Sequence, residues 1–172
     1  NIVYMGMGEP LMNYDEVMAS ITMISSNQSL GISPRRITLS TIGIPDKIKN
    51  LANDRIRFEL AVSLHAAIDE TRSRLIPLNK KHNLESLKNA LKYFNKKTGK
   101  RITLEYLLLK DINDGMDHAK ALAEYCKNFP VKINLIEYNA TTHTSFQKSE
   151  PETLNQFKEF LESKNLVVNI RR

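Results

Sequence analysis

Cys126 is the only cysteine in the sequence, and tryptophan is absent. No disulfide can therefore close within the chain, and no CxxC or CxxxC spacing occurs. A zinc or iron–sulfur ligand set is excluded from these residues. No apolar run approaches the ~18 residues of a membrane span, and no charged-then-apolar leader opens the sequence. The expectation is a cytoplasmic protein without a membrane partner. Gly6-Met7-Gly8 falls short of GxGxxG, which counts against a Rossmann dinucleotide site. No glycine-rich phosphate loop stands near the last strand-like segments, which counts against a sugar-phosphate enzyme of TIM-barrel type. The first residues, Asn1-Ile2-Val3-Tyr4-Met5, already read as strand and include no initiator Met, so the chain is expected to be part of a longer protein.

The 172 residues suffice for one domain with a real core. Hydrophobic residues make up 41% and charged residues 26%, as in ordinary globular proteins. The net charge is +6. That suits an anionic partner such as RNA, and equally a basic solvated surface. The basic pairs Arg35-Arg36, Lys80-Lys81, Lys96-Lys97, Lys100-Arg101 and Arg171-Arg172 are scattered rather than clustered.

Short segments rich in Ile, Val, Leu and Thr predict strands at 2–5, 37–41, 58–64, 102–109, 131–137 and 166–170. Helical periodicity predicts helices at about 14–27, 44–53, 84–97, 117–128 and 151–163. Leu84, Leu87, Leu91 and Phe94 form one stripe. Asp117 is placed to cap its helix, and Pro151-Glu152 is a first-turn signal. This alternation predicts an α/β fold with a parallel sheet, open or closed into a barrel. Three stretches read as functional loops: 6–13, 65–83 and 138–150. If the strands run in sequential order, strand 2–5 forms an apolar edge and is expected to self-associate.

Ligand sites in such folds form at the carboxyl ends of the strands. Gly6-Met7-Gly8-Glu9-Pro10 follows the first strand, where Glu9 fits either an ammonium acceptor or a solvated turn residue. In the second strand Thr38 and Ser40 share one face. In the third, Leu60, Val62 and Leu64 share one face and Glu59, Ala61, Ser63 and His65 the other. A strand covered on both sides should be apolar on both, so the polar side suggests a lumen. Glu105 interrupts the fourth strand, and a buried carboxylate needs a partner. Asn134 lies inside the fifth strand, and Asn139 just past its end. Cys126 falls on the stripe Ala119, Leu122, Cys126, Phe129 and reads as core.

Taken together, the motifs Tyr4-Met5-Gly6-Met7-Gly8-Glu9-Pro10-Leu11, Arg36-Ile37-Thr38-Leu39-Ser40-Thr41-Ile42-Gly43, Leu60-Ala61-Val62-Ser63-Leu64-His65-Ala66, Arg74-Leu75-Ile76-Pro77-Leu78-Asn79 and Asn134-Leu135-Ile136-Glu137-Tyr138-Asn139 closely resemble the radical S-adenosylmethionine (SAM) dual-specificity 23S rRNA/tRNA adenine-C2 methyltransferases. Their order and spacing match across the whole chain. The resemblance implies a partial (β/α) TIM-like barrel over residues 1–172, with parallel strands alternating with helices. It implies that Gly8 and Glu9 hold the methionyl ammonium of SAM. Ser40, Ser63, Leu64 and His65 would line the SAM pocket, and Asn139 would close it. It further implies a [4Fe-4S] cluster, held by three cysteines upstream of Asn1, that cleaves SAM reductively. A cysteine beyond Arg172 would carry the methyl group, and 23S rRNA and tRNA would be the substrates. Cys126 matches none of these cysteines, so residues 1–172 alone are expected to hold no metal and to be inactive. The related C8 adenine methyltransferases, and a non-catalytic SAM- or RNA-binding module, remain alternatives.

Overall fold

The computed structural model describes residues 1–5, 7–140 and 144–171. Gly6 of the first predicted loop and residues 141–143 of the third lie outside the described residues. Six strands form one parallel sheet: β1 (Ile2–Tyr4), β2 (Ile37–Thr41), β3 (Glu59–Ser63), β4 (Ile102–Leu108), β5 (Val131–Glu137) and β6 (Val167–Arg171). The strand order is β1-β2-β3-β4-β5-β6.

That sequential order has a physical consequence. Right-handed crossovers between parallel neighbours that never reverse direction place every connecting helix on the same face. The helices are α1 (Tyr14–Ser25), α2 (Pro45–Asn53), α3 (Asp69–Leu75), α4 (Leu84–Thr98), α5 (Met116–Tyr125) and α6 (Pro151–Ser163). One core fills the space between sheet and helices. Leu39, Leu60, Val62, Leu104, Tyr106, Ile133 and Leu135 enter it from the strands. Leu87, Leu91, Phe94, Leu122, Phe157 and Leu161 enter it from the helices. Gly43 sits where α4 comes nearest the end of β2. A Cβ there would lie 2.8 Å from Leu87, and its φ of +96° already favours glycine.

The opposite face of the sheet carries the alternate residues and forms the concave side of a partial barrel. Register aligns Ser40, Ala61, Thr103 and Lys132 in one row. The next row is Ser63, Glu105, Asn134 and Asn169. The polar side of β3 read from the sequence is this lumen face.

Two local expectations are corrected. The predicted loop 65–83 contains α3 and a 3-10 turn at Pro77–Lys80. Asp117 does not cap α5: Gly115 holds the cap position with no side-chain bond, and Asp117 lies in the first turn. There its negative charge meets the positive end of the helix dipole. Pro151 opens α6 as expected, and Cys126 is buried in the core. β1 is an edge strand, with Val3 exposed on it and Met5 exposed just beyond it.

Candidate functional site at the strand ends

Beyond β1 the backbone turns at Gly8, whose φ is +90°. Glu9 then folds back onto β2. Its Oε1 accepts from the Leu11 amide at 2.9 Å and from Thr41 Oγ1 at 2.7 Å. Its Oε2 accepts from the Ile42 amide at 2.8 Å. A carboxylate offers about four lone-pair sites, so these three bonds leave one, on Oε2, for a ligand. Thr41, on the opposite face of β2 from Thr38 and Ser40, supplies the side-chain bond to this carboxylate.

The end of β3 is held from three sides. His65 has a positive φ of 56°, a conformation in which His is less unusual than branched residues. Its amide donates to the Glu105 carbonyl, its Nδ1 accepts from the Leu107 amide at 3.0 Å, and its carbonyl accepts from Asn113 Nδ2 at 2.6 Å. Because Nδ1 is an acceptor, the neutral ring carries its proton on Nε2. Burial, then the nearby Arg72 cation, lowers its pKa to about 4. His65 is therefore a neutral hydrogen-bonding strut between β3 and β4 at ordinary pH.

Arg72, on α3, is only 1% exposed. Its Nε donates to the Leu64 carbonyl at 3.1 Å, Nη1 to Asn79 Oδ1 at 2.7 Å, and Nη2 to the Ile42 carbonyl at 2.6 Å. Asn79 in turn donates to Asp69 Oδ1 at 2.8 Å, which also accepts from the Leu84 amide. The guanidinium thus joins the ends of β2 and β3 to the start of α4. Asn113, fully buried, does the same for β4: it accepts from the Leu109 amide and donates to the Leu107 and His65 carbonyls. Neither residue was singled out from the sequence. Arg72 sits in a charged run, and Asn113 in a turn-like Asp-Ile-Asn-Asp. Only the Arg-Leu-Ile-Pro-Leu-Asn motif, which includes Asn79, hinted at the first.

Ser40 is buried on the lumen face, Ser63 is partly buried, Leu64 is packed in the core with its carbonyl on Arg72, and Asn139 is exposed at the end of β5. After β5 the chain returns to β4, where Lys110 takes a backbone bond to Gln147 and its ammonium lies 2.7 Å from Glu150. Gly8, Glu9, Ser63, Leu64, His65 and Asn139 therefore share the carboxyl-end rim, and Ser40 faces the lumen beneath it. The rim offers a carboxylate acceptor, hydroxyls, backbone groups and an amide, which suits a ligand with an ammonium and a nucleoside.

The sequence profile of the radical SAM superfamily matches residues 1–125. The chain belongs to the radical SAM superfamily. It is 49% identical over 172 residues to a probable dual-specificity RNA methyltransferase RlmN of Christiangramia forsetii, covering 100% of this chain and 49% of that protein. The chain spans about half the length of the curated relatives it matches. A radical SAM methyltransferase structure from Sphaerobacter thermophilus superposes with a TM-score of 0.97 at 36% identity, over 99% of this chain and 50% of that one. A domain of pyruvate-formate lyase-activating enzyme from Bacteroides vulgatus shares the fold, with a TM-score of 0.73 at 17% identity, over 99% and 98% of the two chains.

Among the described residues no cluster of three or more His, Cys, Asp or Glu stands ready for a metal. Cys126, the one thiol, lies at the end of α5 with its pKa pushed up to about 12 by burial. One buried thiol does not supply the three cysteines that the expected iron–sulfur cluster requires. No described helix is long and apolar enough to cross a membrane.

Proposed function

We propose that this chain is the SAM-binding barrel of a radical RNA methyltransferase that acts on C2 of an adenine in 23S rRNA and tRNA. The observation that carries this is the match, over 172 residues and 100% of this chain, to relatives named as probable dual-specificity RNA methyltransferases. In this reading Glu9 takes the methionyl ammonium on the lone pair that its bonds to Leu11, Thr41 and Ile42 leave free. Gly8, with no side chain, lets the backbone approach that group closely. Ser40 and Ser63 present hydroxyls to the nucleoside half, Leu64 and His65 line it, and Asn139 closes the pocket from β5. SAM supplies both the methyl group and, on reduction, radical chemistry suited to a carbon that is a poor nucleophile. The residues of this chain bind and orient it; the cluster belongs to cysteines outside them.

On the same rim, Lys80, Lys81 and His82, with Lys49 paired to Asp46, line a groove at the starts of α2 and α4. This groove fits RNA phosphates, so binding should weaken as salt rises. We place the protein in the cytoplasm with its RNA substrates, and we keep β1 as the edge through which the isolated chain self-associates. Sedimentation velocity over a concentration series tests that last point.

The decisive experiment uses the full-length protein carrying this chain, reconstituted anaerobically and given SAM with rRNA or tRNA fragments. Nucleoside mass spectrometry should find 2-methyladenosine. 8-Methyladenosine would replace the regiochemistry proposed here. SAM binding without any methylation would favour a non-catalytic module.

A further inference from the structure

Glu105 stands alone as a carboxylate midway along the lumen face. It is 6% exposed, and the strand around it is otherwise apolar or hydroxylated. Its Oε1 accepts from Asn134 Nδ2 at 2.9 Å and lies 3.6 Å from Arg171 Nη1. Asn169 Nδ2 supports Asn134 Oδ1 at 3.4 Å. All of this secures one oxygen. Oε2 is shielded from solvent and has no hydrogen-bond partner among the described residues.

A carboxylate kept for stability alone would be expected to have both oxygens satisfied. An unpaired buried acceptor is costly, and an apolar residue in its place would remove the cost. The surroundings explain what such an acceptor is for. Glu105 lines a lumen cavity of about 300 Å³ together with Thr38, Ser40, Thr103 and Asn134, and Ala61 leaves room between the strands. That volume is at the small end for ligand pockets, which run ~300–1,000 Å³. Hydroxyls, an amide and an unpaired carboxylate oxygen suit a nucleoside. Arg35, Arg36 and Arg171 at its margin suit adjoining phosphate or carboxylate groups. The same cations repel a metal ion, so the missing partner of Oε2 is a neutral N–H or O–H donor.

We propose that Glu105 is a ligand-contacting residue whose free oxygen accepts a hydrogen bond from an adenosine moiety, donated by its exocyclic amine or a ribose hydroxyl. This rests on the function proposed above, where adenosine occurs twice, in SAM and in the target RNA. Glu105 and Asn134 stand in one row with Ser63 of the rim and mark the rim-side end of this cavity, whose other lining, Thr38, Thr103, Arg35 and Arg36, lies toward the amino ends of the strands.

The test uses the full-length protein. Glu105→Gln keeps the shape and lets Asn134 retain its acceptor, while turning a donor toward the position of Oε2. SAM affinity is read by calorimetry, and RNA affinity by anisotropy with a hairpin carrying the target adenine. A loss of at least about tenfold in either affinity, with the melting temperature kept, is expected for a charge-assisted bond. Loss for SAM assigns Glu105 to the cosubstrate, and loss for RNA assigns it to the target. Should the variant fold poorly, the wild-type protein is titrated with donor-deleted ligands: 6-desamino and 2′- and 3′-deoxy forms of SAM and of the target nucleotide. At least one must bind about tenfold more weakly. Unchanged affinities throughout, beside a wild type that binds its ligands, overturn the role of Glu105 alone. A wild type that binds neither SAM nor RNA defeats the functional reading itself.

Discussion

Along one rim, the ends of β2, β3 and β4 and the ends of β1 and β5 are built on different terms. The central arc is tied by buried polar groups, with Arg72 spanning β2, β3 and α3 and with Asn113 and His65 joining β3 to β4. The flanks carry exposed residues instead: Met5, Met7 and Gly8 after β1, and Asn139 after β5. The central arc is fixed before any ligand arrives, which lowers the ordering cost of binding. On the flanks Glu9 alone is tied down, to Leu11 and the end of β2, and the exposed side chains around it stay free to meet one.

The sharpest way to break this contrast is Arg72→Met. It leaves the Ile42 carbonyl and Asn79 Oδ1 without their donor, at ~1–3 kcal/mol for each buried acceptor, and takes from the Leu64 carbonyl one of its two donors. Urea unfolding should show a loss of about 4 kcal/mol. A loss below ~1 kcal/mol would mean that the arc does not depend on this clamp.

Asn113→Ala comes next. It frees one amide and two carbonyls at the β3–β4 junction, and about 3 kcal/mol should be lost in the same assay. A double variant with Arg72→Met should deviate from additivity if both act on one unit, since both hold the end of β3.

His65 gives the comparison a pH signature. Its pKa in the folded chain is about 4, against ~6.5 unfolded. Below pH 6.5 the unfolded chain takes up a proton that the folded chain refuses. Stability is therefore complete above that pH and falls as pH drops toward 4, by ~2 kcal/mol at pH 5. His65→Asn, a residue that tolerates positive φ, should remove that part of the slope between pH 7 and 5. An unchanged slope would assign the acid sensitivity to other groups.

The flanks yield the smallest effect on folding. Asn139→Ala should leave stability within ~0.5 kcal/mol, because the side chain is exposed. In the full-length protein it should still weaken SAM binding by about 1 kcal/mol, measured by calorimetry. A folding defect as large as that of Asn113→Ala would erase the distinction between arc and flank.

Sequence patterning revealed the lumen because alternation is a local property. The polar face of β3 and the lone Glu105 of β4 announced a lined interior. The stripe through Leu84, Leu87, Leu91 and Phe94 announced α4 for the same reason. What stayed hidden was long-range. Asp69–Leu75 carries four charged residues and no apolar stripe, so nothing local distinguishes α3 from a solvated loop. The burial of Arg72 follows from where the ends of β2 and β3 lie, 30 and 8 residues away along the chain. Glu9 was singled out, but its bond to Thr41 depends on the pairing of β1 with β2.

Sequential strand order also bears on how the molecule opens and closes. Each strand pairs only with its immediate predecessor and successor in the chain, so the sheet behaves as a nearly one-dimensional array whose units add to or leave a neighbour. Fluctuations should then start at the ends of the array and move inward. Native-state amide exchange would be fastest in β1 and β6, slower in β2 and β5, and slowest in β3 and β4, where the buried clamps sit. The molecule would breathe from its two seams, leaving the ends of β3 and β4 as the last part of the barrel to lose shape.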